Sequence, residues 1–194
     1  MFAPNLPNGL TMLRILLVPV LVVALLDETP NGDTFAAVVF ALAALTDGLD
    51  GYIARSRGSV TTFGKLMDPV ADKLLIVAAL ISLVSLGRLA AWVAMVIIAR
   101  EFAVTALRAV AAEQGVVISA SWLGKLKTIL QVAAVFALIV VSEPVPLGVD
   151  LLVYAAVAAT LISGADYFFG LRRKTEEASS RPARKPEPRA TRAS

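Results

Sequence analysis

The residues best suited to chemistry sit in one stretch. Asp47-Gly48-Leu49-Asp50-Gly51-Tyr52-Ile53-Ala54-Arg55 is followed, after eight residues, by Gly64, Asp68 and Asp72. Asp47 and Asp50 are spaced i, i+3, and Asp68 and Asp72 i, i+4, so each pair shares one face of a helix. Gly51 and Ala54 lie on the face of Asp47 and keep it bare, which lets a flat or phosphorylated ligand approach the backbone. The short connection from 55 to 61 makes the two helices neighbours and brings the two acidic faces together. Four crowded carboxylates are costly to bury, and crowding raises their pKa values unless a cation intervenes. A divalent metal relieves both costs. The chain has no His and no Cys, so the donor set is oxygen alone, which suits hard Mg²⁺ or Mn²⁺ rather than Zn²⁺. Two ions a few Å apart are the natural arrangement for phosphoryl chemistry. The plain alternative is four separate acids at helix ends, paired with Arg55, Lys65 and Lys73. Four acids in phase, with Gly and Ala between them, weigh against it.

These residues need helices to carry them, and the composition supplies helices of an apolar kind. Hydrophobic residues make up 58% of the 194 and charged residues only 17%. Mean hydropathy is +0.78. A water-soluble domain carries about a quarter charged residues. A membrane helix needs roughly 17–25 mostly apolar residues. Six segments qualify: 10–26, 34–54, 62–86, 89–112, 122–141 and 149–171. Aliphatic continuity without period-two alternation disfavours a β-barrel. The expected fold is an all-α integral membrane protein. It has six transmembrane helices, a short interfacial segment before the first, and a disordered tail after the last. No basic residue precedes Arg14 and no small-x-small site follows Leu26, so the first segment is read as a retained helix.

Charge orients the bundle. The connections at 27–33 and 142–148 contain no Lys or Arg. Arg55, Arg57 and Lys65 mark one of the remaining connections, and Arg108, Lys125 and Lys127 flank another. Basic excess marks the cytoplasmic side, and six spans put both termini there as well. Residues 171–194 hold eight basic and three acidic side chains, a net of +5, which leaves the other residues at −2 out of +3. The pI of 9.4 therefore belongs to the tail and points to no nucleic-acid-binding face. The expected domains are a membrane domain over 1–171 and a basic tail over 172–194, attracted at most weakly to anionic lipid headgroups.

The run D-x2-D-G-x2-A-R-x8-G-x3-D-x3-D resembles the signature of the CDP-alcohol phosphatidyltransferases, with every position filled. The likeness covers about residues 5–170. It implies a six-helix membrane fold, a homodimer, and a metal site facing the cytoplasm of a bacterial cell. Carried over by position, Asp47 and Asp68 bridge two metals, Asp50 completes the first, and Asp72 completes the second and is the general base. Gly51, Arg55 and Thr61 hold the cytidine diphosphate of a CDP-lipid, with Ala54 and Gly64 in the same motif. Pro7-Asn8-Gly9-Leu10-Thr11-Met12-Leu13-Arg14 resembles the family's P-N-x-L-T-x-x-R opening, which assigns Asn8, Thr11 and Arg14 to the nucleotide end. Otherwise this segment is an interfacial cap with Arg14 snorkelling.

The block Arg100-Glu101-Phe102 with Thr105-Ala106-Leu107-Arg108, and the block Gly124-Lys125-Leu126-Lys127-Thr128, resemble the glycerophosphate-using branch. Arg100, Arg108 and Lys125 are then expected to bind an acceptor phosphate, while Lys127 reads as an interfacial lysine; the plain alternative is an intramembrane Arg–carboxylate pair with interfacial lysines. The implied reaction is transfer of a phosphatidyl group from CDP-diacylglycerol to sn-glycerol 3-phosphate, giving phosphatidylglycerol phosphate and CMP. Runner-up acceptors are those of a cardiolipin synthase or a phosphatidylinositol-phosphate synthase. A divalent-cation transporter is the alternative from another class. It predicts acids spread over several helices or related by inverted repeats. Here the four acids fall within 26 residues and no repeat is visible.

Overall fold

The computed structural model describes residues 6–27, 29, 31–57, 62–113, 122–141 and 144–179. For residues 6–8, 47–57, 62–69, 171 and 174–179 it describes the backbone alone. Among the described residues the chain forms six helices and no strand. They are α1 (Leu6–Leu26), α2 (Gly32–Arg57), α3 (Thr62–Ser85), α4 (Ala91–Glu113), α5 (Trp122–Val140) and α6 (Leu147–Ser179). Each falls on one of the six apolar segments.

Two ends differ from expectation. The Asn/Pro-rich lead is not a separate interfacial segment from residue 6 onward, because it forms the first turn of α1. Pro7 is tolerated there, since the first N–H groups of a helix have no intrahelical acceptor to lose. At the other end α6 runs through Arg172 and Arg173 to Ser179, so the region read as tail from 172 starts as helix. Residues 180–194 lie outside the described residues.

Among the described residues three helices combine the length and apolar composition needed to cross a bilayer, over Gly9–Leu26, Trp122–Val140 and Leu147–Gly170. The apolar run of α2 is shorter, Gly32–Thr46, and gives way to the Asp47–Arg55 motif. Lys65, Asp68, Asp72 and Lys73 interrupt α3, and Arg100, Glu101 and Arg108 interrupt α4.

Packing centres on one apolar cluster drawn from all six helices. Helix α1 lies against α2 and α3, α5 against α6, the α2–α5 contacts join the two groups, and α4 lies against α6 and α3. Small residues mark the close approaches, with Ala36, Ala43, Ala79 and Ala156 all buried. Small side chains let helix backbones come together where lipid-like surroundings offer no hydrophobic drive. The outer surface is apolar too: Leu16, Val23, Met95, Ile129 and Phe169 are exposed.

The α3–α4 turn is built on Gly87, which has φ +73°. Arg88 N–H donates to Leu83 O at 3.0 Å and Gly87 N–H to Val84 O at 3.1 Å. This is the paired-bond helix stop that a glycine in the left-handed region permits. The turn delivers Arg88 to Asp33 at the start of α2. Two guanidinium nitrogens meet the two carboxylate oxygens at 2.9 and 2.7 Å, and Nη1 also reaches Ile139 O at 3.4 Å.

Candidate functional site

Away from that turn, α3, α4, α5 and α6 enclose a cavity of about 750 Å³. Helical spacing explains how each contributes. Asp72 and Lys73 come from α3, followed one turn later by Ile76 and Val77. On α4 the series Arg100, Val104, Arg108 repeats every fourth residue, with Glu101 and Thr105 beside it. On α5 the lining residues Gly124, Lys127, Thr128 and Gln131 recur at three and four. Ser163 and Tyr167, four apart, are the contribution of α6. The described lining thus holds five basic side chains (Lys73, Arg100, Arg108, Lys125, Lys127) and two acidic ones (Asp72, Glu101).

Glu101 is the hub. Its Oε1 accepts from Arg100 Nη1 at 3.1 Å and is ion-paired with Lys127 Nζ from α5. Arg100 Nη2 donates to Ser163 Oγ at 2.7 Å. The guanidinium carbon of Arg108 lies 5.2 Å from the centre of the Tyr167 ring, a cation–π contact contributing about 0.5–2 kcal/mol. Isolated charges in such a setting are expensive, and sharing one carboxylate between two cations offsets only part of that cost. The wall keeps a positive surplus, which suits a dianionic guest.

The structure brings together Asp72, Arg100, Arg108 and Lys125, all of them wall residues of the one cavity. Asp72 is half-buried there. Thr11 and Arg14 are buried in α1, Arg14 completely, and neither is among the cavity's lining residues. The interfacial alternative for Arg14 is therefore not what the fold adopts, because its side chain does not reach an exposed surface. Asn8 lies in the first turn of α1, Asp47, Asp50, Gly51, Ala54 and Arg55 in the C-terminal half of α2, and Gly64 and Asp68 at the start of α3. The side chains of these eight residues lie outside the described residues, as does Thr61 altogether. Among the described side chains no three carboxylates meet, and Asp72 is the one motif acid in that set.

The sequence reading missed part of the wall. Lys127, read as interfacial, is 5% exposed and paired with Glu101. Its signal was present in the polar spacing 124, 127, 128, 131, which marks one polar stripe on an otherwise aliphatic helix. Ser163 and Tyr167 carried a weaker version of that signal. Glu101 does form the Arg–carboxylate pair that was the plain alternative for this block, and its second cation, Lys127, is the partner the sequence did not reveal.

The chain is 44% identical over 180 residues to CDP-diacylglycerol–glycerol-3-phosphate 3-phosphatidyltransferase of Bacillus subtilis (strain 168), covering 84% of this chain and 93% of that protein. It is 42% identical over 167 residues to a probable phosphatidylglycerophosphate synthase of Mycobacterium tuberculosis (strain ATCC 25618 / H37Rv), covering 84% and 79%. A 3-phosphatidyltransferase of Rickettsia bellii (strain RML369-C), with the same name as the Bacillus protein, is 38% identical over 169 residues, covering 84% and 93%. The match to the family itself spans residues 4–163, from the start of α1 to the Ser163 wall of the cavity, so the motif and the helices that carry it place this chain in the CDP-alcohol phosphatidyltransferase family.

Proposed function

We propose that the protein transfers a phosphatidyl group from CDP-diacylglycerol to sn-glycerol 3-phosphate, releasing phosphatidylglycerol phosphate and CMP. The observation that carries this reading is the wall on which five cations and two acids surround the Asp72 cavity. An acceptor bearing a phosphate monoester matches that surplus, whereas an uncharged alcohol does not. The three relatives' names point to the same acceptor.

Arg100, Arg108 and Lys125 hold the acceptor phosphate. Asp72 takes the proton of the acceptor hydroxyl as its oxygen attacks the lipid-proximal phosphorus. The new P–O bond forms as the bond to the CMP oxygen breaks. With no imidazole or thiol in the chain, a carboxylate is the base available near neutral pH. Asn8, Thr11, Arg14, Gly51, Ala54, Arg55, Thr61 and Gly64 are assigned to the CDP-lipid.

The oxygen-only donor set of Asp47, Asp50, Asp68 and Asp72 fits two hard divalent ions, Mg²⁺ or Mn²⁺. Asp72 on the cavity wall fits that assignment too. Bound there, the ions would neutralise the diphosphate and make CMP a better leaving group.

All six helices cross a bacterial cytoplasmic membrane in this reading, with the site and both termini cytoplasmic, and the protein is a homodimer. The apolar outer surface supports the crossing, and Asp72, Lys73, Arg100, Glu101 and Arg108, charges of α3 and α4, line the cavity. The membrane domain covers 1–171 and the basic region 172–194. The deciding experiment is an acceptor panel in membranes containing CDP-diacylglycerol and Mg²⁺, with labelled glycerol 3-phosphate, phosphatidylglycerol, inositol phosphate or serine. Preferred transfer to glycerol 3-phosphate is expected. Preference for phosphatidylglycerol or inositol phosphate would give the protein one of the other family activities, and ion flux without transfer would make it a transporter.

A further inference from the structure

Arg100 and Arg108 project from α4, yet their free ends are held by α6, a helix whose described residues add no charge to the cavity wall. Ser163 is 2% exposed, and its Oγ accepts from Arg100 Nη2 at 2.7 Å. Tyr167, one turn on, lies with its ring centre 5.2 Å from the Arg108 guanidinium carbon. Gly164 stands between them. A Cβ there would lie 3.3 Å from Arg100 Cγ and 3.5 Å from Nε, close enough to force the pinned side chain to shift by a few tenths of an ångström. One helix face therefore offers a hydroxyl, a gap and an aromatic ring to two neighbouring guanidinium groups.

The chemistry of these partners is informative because all are neutral. A carboxylate at 163 or 167 would hold an arginine as firmly, but would also cancel the charge a phosphate needs. Glu101 already serves Arg100 and Lys127. A hydroxyl oxygen and a π face orient a cation without neutralising it. We infer that Ser163, Gly164 and Tyr167 are positioning residues for the acceptor phosphate, acting through Arg100 and Arg108 to set the affinity for a phosphate-bearing acceptor. The inference rests on the proposed acceptor role of those two arginines.

The test uses the full chain in membranes, with Ser163→Ala, Gly164→Ala, Tyr167→Leu and Tyr167→Phe. Loss of the Ser163 hydrogen bond is expected to raise KM for glycerol 3-phosphate roughly fivefold. Loss of the ring in Tyr167→Leu is expected to raise it about threefold or more. KM for CDP-diacylglycerol and kcat change less in both. The Tyr167 hydroxyl has no hydrogen-bond partner among the described residues. Tyr167→Phe keeps the ring and should therefore retain a KM within about twofold of the parent. Gly164→Ala separates positioning from mere folding. Alanine favours the helix, so Tm should hold or rise while KM for glycerol 3-phosphate increases. The inference is overturned if both KM values rise together, if Tyr167→Phe behaves as Tyr167→Leu, or if Gly164→Ala leaves the acceptor KM unchanged. Inorganic phosphate, used as a competing anion, keeps this result separate from the acceptor's identity. Its inhibition constant should rise in Ser163→Ala and Tyr167→Leu whichever alcohol the panel selects. An unchanged constant defeats the inference even if glycerol 3-phosphate proves to be the acceptor.

Discussion

Two arginines, Arg88 and Arg100, show how one residue type serves two ends of this bundle. Arg88 meets both oxygens of Asp33, a one-to-one pair completed by a backbone carbonyl. Arg100 shares a single carboxylate oxygen with Lys127 and takes a neutral hydroxyl for its other contact. The first arrangement closes its charge account and ties the α3–α4 turn to the start of α2. The second leaves charge over, beside a cavity and a carboxylate. Local neutrality distinguishes a staple from a binding wall, and neither burial nor sequence position does so alone.

That contrast breaks most sharply at Asp72. Asp72→Asn should cut the transfer rate by about 10²–10⁴-fold, read with labelled glycerol 3-phosphate in membranes of matched protein content. Undiminished product would remove Asp72 as the base. Next in size are Arg100→Ala and Arg108→Ala. Each should raise KM for glycerol 3-phosphate by roughly tenfold or more, because a charge-assisted contact to phosphate contributes about 1.5–3 kcal/mol. Equal weakening of both substrates would count against an acceptor site. Arg88→Ala should do the reverse, lowering stability by about 1 kcal/mol and leaving the acceptor KM alone. The figure sits at the low end because the Asp33 side chain remains 34% exposed. A thermal melt beside the KM measurement checks both halves. The smallest effect belongs to the tail. Among the described residues none that lines the cavity lies beyond Tyr167, and removing 180–194 should leave transfer within about twofold of the full chain, since surface changes away from such contacts are near neutral.

Much of this was legible in the sequence because membrane-like helices announce themselves by composition. All six segments became helices, Asp72 was singled out by the spacing of four carboxylates, and Arg100 and Arg108 by blocks that resemble the glycerophosphate-using branch. The ends were less legible. Pro7 and Asn8 look like loop residues but fit the first turn of a helix, where proline costs little. The Arg/Lys/Glu run after Leu171 has no apolar signal, yet helix continues through it to Ser179. Lys127 was misread because the positive-inside rule already explained it, and a sufficient explanation hid its partner Glu101. Ser163 and Tyr167, whose spacing of four is only a faint signal, were hard to read for a different reason. Their importance lies in what α4 presents to them, and no pattern within α6 encodes that.

The shared oxygen of Glu101 has a consequence for how this wall can be dissected. Lys127, Arg100 and, through the latter, Ser163 are linked by one acceptor atom, so removing any one of them redistributes the field felt by the others. Coupling energies in such linked groups run to about 0.5–3 kcal/mol. Effects of single replacements here will not sum to the effect of replacing them together. The unit that selection can tune is the whole quartet, and a neighbouring sequence that swaps one member should be found to have adjusted another.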